Sequence, residues 1–114
     1  MRKLFFILSI CLSNTLMAQN IEKPVKLGCY PPNGTNRILN KPDTSAIHPA
    51  YLSEYKGGGF LGSSWSLVAT KVIVNKQGKF YYGDIYSPRG GKLNVKQGGY
   101  NGPVYVYAKD WVCE

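Results

Sequence analysis

Residues 57–62 read GGGFLG, so Gly57, Gly59 and Gly62 spell G-x-G-x-x-G. That pattern holds a dinucleotide pyrophosphate where a strand turns into a helix. Asp84 lies 22 residues beyond Gly62, about where such a site keeps its ribose-binding acid. The chemistry also requires the flanking elements, and these disagree. HPAYLSEYK before the loop is a poor strand, while SSWSLVATKVIVN after it is a good strand and a poor helix. No Gly-Lys-Ser/Thr follows to make a phosphate loop of the Walker type. No cofactor is therefore expected. The glycines are expected to join two parts of one domain, with residues 57–59 among the more mobile and Trp65 opening the ordered sheet.

Acid–base and nucleophilic chemistry find few residues. His48 is the only histidine, which excludes a two-histidine pair. Ser45, Ser64 and Ser66 sit in ordinary loop or strand text, without the base and orienting group that activate a serine. Carboxylates for glycoside hydrolysis could come only from Asp43, Glu54, Asp84, Asp110 and Glu114. Glu54 and Asp84 are the least implausible pair, and no spacing rule joins them. The cysteines lack metal-ligand spacing. No catalytic residue and no metal ligand is assigned, and the balance leans away from an enzyme. A small cationic secreted hydrolase or toxin is the alternative.

The cysteines carry a different chemistry. The chain opens MRKLFFILSICLSNTLMAQN: two cations, an apolar run over residues 4–12, then a more polar stretch ending at Ala18. This is the plan of a secretory signal peptide, and the run is shorter than the roughly 20 residues a membrane span needs. Cleavage after Ala18 is expected, leaving no transmembrane segment and a mature domain over residues 19–114. It takes Cys11 away and leaves Cys29 and Cys113, an even pair that in an exported protein reads as a disulfide. Closing a loop of this length stabilises a domain by about 4–5 kcal/mol in the chain-entropy account. Changing either cysteine to serine is expected to destabilise equally, and both together no further. The locale expected is bacterial, periplasmic or extracellular.

The charge falls from +8 to +6 on cleavage, because two of the fourteen basic residues and none of the six acids are lost. Lys71, Lys76, Lys79, Arg89, Lys92 and Lys96 crowd into 26 residues opposed only by Asp84. Among and beyond them stand Tyr81, Tyr82, Tyr105 and Tyr107. Cations interleaved with rings suit an anionic partner, and these ten residues are the candidate binding face. Nucleic acid is disfavoured for an exported protein, so the partner expected is a protein or an anionic envelope polymer. Oligomeric state is not readable. An accessory subunit of an envelope or secretion machine is a further alternative.

The elements that must position these groups fall into two textures. Residues 19–63 hold Pro24, Pro31, Pro32, Pro42 and Pro49 and are expected to be irregular, with a short strand over residues 25–30 and a helical turn or two from Pro49. From Ser64 the text is β: SWSLVATKVIVN, the turn KQGK, then aromatic FYYGDIY read as a hairpin. SPRGG turns into a short strand KLNVK, and QGGYNG turns into PVYVYAKDWVC, one final strand. In that strand Val104, Val106, Ala108 and Val112 are expected on one face, with Tyr105, Tyr107 and Trp111 on the other. The fold class expected is all-β and mainly antiparallel: a small curled or barrel-like sheet of about five strands, clamped by one disulfide. In architecture it resembles small periplasmic inhibitors and immunity-like proteins, which implies binding without catalysis.

Overall fold

The computed structural model describes residues 20–48, 61–93 and 102–114. The signal segment, the helical turns expected from Pro49, Glu54, the glycines at 57–59 and Lys96 lie outside the described residues. The strands are β1 (Ile21–Tyr30), β2 (Ser66–Asn75), β3 (Gly78–Tyr86), β4 (Val104–Tyr107) and β5 (Val112–Cys113), with a 3-10 turn at Ala108–Asp110. They form one sheet in the order β4-β3-β2-β1-β5, antiparallel throughout and curled into a half-barrel. Among the described residues no helix is long and apolar enough to cross a membrane.

The β2–β3 hairpin follows from local sequence. Asn75 pairs with Gly78 across the two-residue turn Lys76-Gln77, and Gly78 adopts φ +127°, open to glycine and strained for other residues. Trp65 sits in the turn before β2, its N–H on the Gly62 carbonyl at 3.2 Å, so the sheet begins one residue later than expected. Thr70 is an extra residue in β2, unpaired between Ala69 and Lys71; its hydroxyl donates to the Tyr82 carbonyl at 3.3 Å. This bulge pushes the β2 backbone against Gly83. A Cβ on Gly83 would lie 1.9 Å from the Val68 carbonyl oxygen, so only glycine fits there.

Two expectations are corrected. First, the opening of the proline-rich segment is not irregular: β1 begins at Ile21, four residues before residue 25, and runs through Pro24. Beyond the β2 side, β1 meets β5 among the described residues only at Cys29 and Tyr30, so among them Pro24 stands on an edge, where a missing donor costs no ladder bond. A register break between Pro24 and Leu27 relieves the pairing further. Second, PVYVYAKDWVC is not one strand. The 3-10 turn splits it, β4 pairing with β3 at one edge and β5 with β1 at the other. The break also shifts the alternation. Trp111 is buried with Val104 and Val106, while Val112 is 41% exposed.

The larger core covers what we call the inner face. Leu67, Ala69, Tyr81, Ile85, Val104 and Val106 from the sheet pack there with Ile38, Leu61, Leu93 and Trp111. The outer face carries a smaller cluster, Ile73 and Phe80 under Leu39, bordered by Tyr82, Tyr105, Tyr107 and Ile47. Two chain segments connect the opposite edges of the sheet: residues 31–39, from β1 to the β4 edge, and the 3-10 turn, from β4 to β5. Asp110 ties them together. Its carboxylate takes Arg37 Nε at 3.1 Å and a second guanidinium nitrogen at 3.2 Å, and the Thr35 hydroxyl at 3.4 Å. The two-point geometry and the low exposure of the Asp110 side chain make this the strongest ion pair described. Cys29 lies directly opposite Cys113, Cα–Cα 4.0 Å, and the disulfide joins them.

Candidate functional site

The outer face is built by rows of cross-strand partners. In one row Tyr105 of β4 pairs with Tyr82 of β3, which pairs with Lys71 of β2, which pairs with Pro24 of β1. The Tyr82 and Tyr105 rings lie 4.6 Å apart between centroids and tilted by 49°, a favourable aromatic arrangement. The Lys71 ammonium sits 4.8 Å from the Tyr82 ring centre and 3.6 Å from Glu22 Oε1. In the neighbouring row Tyr107 packs on Phe80 at 5.2 Å. Its hydroxyl donates to the Gln77 carbonyl at 3.1 Å, and Arg37 lies over its ring at 5.3 Å.

A second piece of chain completes the site. Residues 38–48 fold back on themselves: Leu39 bridges Ile47, the Asn40 N–H meets the Ala46 carbonyl at 3.0 Å, and the His48 N–H meets the Ile38 carbonyl at 2.8 Å. Leu39 also exchanges both backbone hydrogen bonds with Tyr105, at 2.9 and 3.0 Å, so this small hairpin extends the sheet beyond β4. Its tip is fastened to the β2–β3 turn. The Thr44 hydroxyl and N–H donate to the Gln77 side-chain carbonyl at 2.9 and 3.0 Å, and the Asn75 amide donates to the Pro42 carbonyl at 2.8 Å. Between the hairpin and the sheet lies a groove of about 150 Å³, lined by Asn40, His48, Tyr82, Pro103, Val104 and Tyr105.

Burial lowers the His48 pKa from its usual 6.5. Burial also raises that of Tyr105, and Lys71 partly offsets the rise. Both groups are therefore neutral near pH 7. The sign for stability follows: as pH falls through about 6.5, the unfolded chain takes up a proton that the folded His48 resists, so acid weakens the fold. The thermal midpoint is expected to drop between about pH 7 and about pH 5, and by less in His48→Gln. Equal slopes for the two proteins would show that His48 is not the group responsible. Asp43, in contrast, is held below its usual value by the Ser45 N–H and hydroxyl, an exposed turn contact at 2.9 and 2.8 Å.

Of the ten residues expected to form the binding face, the structure brings Lys71, Tyr82, Tyr105 and Tyr107 together. Tyr81 is corrected. It lies on the inner face at 9% exposure, in the core with Val72 and Val106, because successive residues of a strand point to opposite faces. Lys76 and Lys79 are exposed at the β2–β3 turn, whereas Arg89 is exposed in the turn over residues 87–91. Those two ends are roughly 25 Å apart at ~3.3 Å per residue along β3, so the cations do not form one patch. Lys92 lies 3.8 Å from Asp84 Oδ2, a half-exposed pair of little energetic weight. Asn40 and His48 are groove residues that the candidate face lacks. Their signal was the turn NKPDTS between the apolar pairs Ile38-Leu39 and Ala46-Ile47. Among the described residues no three His, Cys, Asp or Glu side chains gather into a metal-binding group. No family model, curated protein or solved structure matches the chain.

Proposed function

We propose that this is an exported, non-enzymatic binding protein of the bacterial cell envelope, which engages an envelope polymer or protein through the outer sheet face around Tyr82 and Tyr105. The observation that carries the reading is the convergence of two paired tyrosine rings and a separate hairpin on one groove. Rings with a polar tip held on a rigid sheet give contact area at low entropic cost, as in other recognition surfaces. The net charge of +6 left after signal cleavage supports long-range attraction to an anionic envelope. The scattered lysines fit that role better than a shaped contact. A disulfide between Cys29 and Cys113 fits an oxidising compartment.

The test is capture from envelope fractions on the immobilised, oxidised protein. Wild type is expected to retain a component that Tyr82→Ser with Tyr105→Ser loses, while Lys76→Glu with Lys79→Glu keeps most of it. Capture unaffected by the tyrosine changes, or no capture at all, sinks the proposal.

A further inference from the structure

The groove beside Tyr82 and Tyr105 has a chemistry narrower than that of the whole face. We propose that it is a subsite for one uncharged sugar ring of an envelope glycan; this rests on the binding function proposed above and names its ligand.

Three observations converge. The first is the hydrogen-bonding character of the lining. Asn40 carries an amide, His48 an imidazole, and Tyr82 and Tyr105 phenol hydroxyls, and all four residues line the groove. Each of these groups both donates and accepts when neutral, and burial favours the neutral form of His48 and Tyr105. A sugar hydroxyl also donates and accepts, so it matches such a lining. A carboxylate or phosphate only accepts, and would call for cations. The cation on this row, Lys71, is already matched by Glu22 at 3.6 Å.

The second observation is the aromatic wall. The Tyr82 and Tyr105 rings meet at 49° and both residues line the groove, one side of Tyr82 being taken by the Lys71 ammonium at 4.8 Å; an aromatic ring is electron-rich on its faces. The C–H face of a sugar ring carries the complementary slight positive charge, the same attraction that favours edge-to-face ring packing. The third is size. A space of about 150 Å³ matches the ~150 Å³ of a protein cavity that takes one benzene ring. That is room for one six-membered ring and well short of the several hundred Å³ of a pocket for a larger ligand. Longer glycans would continue out of the open groove.

The experiment titrates the purified protein, disulfide intact, with neutral oligosaccharides of glucose and of N-acetylglucosamine, their monosaccharides, and an acidic polysaccharide. Binding is followed by calorimetry and by amide NMR. Saturable binding of at least one neutral oligosaccharide is expected, with shifts at Asn40, His48 and Tyr105 and less than about twofold change in affinity across moderate salt. Tyr82→Ala is expected to lower affinity at least tenfold, Asn40→Ala and Tyr82→Phe a few fold, and Lys109→Gln, an exposed lysine outside the groove lining, hardly at all. Weaker binding of the monosaccharide would show that the glycan extends beyond the groove. Three results overturn the subsite while leaving the binding function standing: capture of a protein with no sugar bound, binding of the acidic polysaccharide alone with steep salt dependence, or sugar shifts mapped away from Asn40 and Tyr105. Failure of every ligand and of envelope capture removes both proposals.

Discussion

Gly83→Ala is expected to lower the melting temperature by about 10–20 °C, the response of a domain of this size to a loss near 3 kcal/mol. The added methyl would meet the Val68 carbonyl oxygen at 1.9 Å, with the Val68 carbonyl carbon at 2.8 Å and the Ala69 Cα at 3.0 Å. All three are backbone atoms of the paired strand, so no rotamer change relieves the contact. Either the β2–β3 pairing opens or the bulge at Thr70 moves. Overpacking usually costs about 1–3 kcal/mol, and a clash with backbone in mid-sheet belongs at or above the top of that range. Gly28→Ala is the control, since nothing lies within 4 Å of its would-be Cβ. A midpoint for Gly83→Ala within a few degrees of Gly28→Ala would mean that the bulge does not sit where we describe it.

Loss of the Cys29–Cys113 bond is expected to cost about 2–5 kcal/mol, as for other small disulfide-bonded domains. Here the bond also holds an element that has little else. β5 is two residues long, and among the described residues the end of the chain adds to its pairing with β1 the two backbone hydrogen bonds between Gly28 and Glu114, at 3.3 and 3.0 Å. Releasing β5 exposes Trp111, now 5% exposed, so tryptophan fluorescence should shift to the red before global unfolding. Cys29→Ser and Cys113→Ser should not be quite equal, contrary to the expectation from sequence. Cys29 is 3% exposed and Cys113 is half-buried, so a serine hydroxyl at 29 carries an added desolvation cost. The double variant should be no less stable than Cys29→Ser. Unfolding curves in denaturant give all three values, and strict additivity of the single effects would argue against the bond.

The sequence exposes what is decided locally. The β2–β3 hairpin was readable because its pattern and its turn are contiguous, and the disulfide because two cysteines leave one pairing. Pro24 misled, since proline marks irregular chain unless the strand is known to be an edge, and being an edge is a property of the whole sheet. The break at Ala108–Asp110 has neither glycine nor proline to announce it. What holds it is the contact of Asp110 with Thr35 and Arg37, 75 and 73 residues away. At the site, residue types were legible and faces were not. Tyr81 and Tyr82 differ only in parity, and a one-residue change of register would exchange them. Asn40 and His48 reach the groove through the bridge from Leu39 to Tyr105, which no local pattern encodes.

The placement of β5 has a consequence for the order of events in folding. The hairpin of β2 and β3 closes across two residues and can form as soon as it exists. Cys29 must find a partner 84 residues later in the chain, and loops that long make slow, late contacts. A chain made from its N-terminus therefore leaves the Cys29 end of β1 without its β5 neighbour until β5 arrives. Closure of the sheet at β5 is therefore the last event, and the disulfide fixes an arrangement that the other strands have already reached.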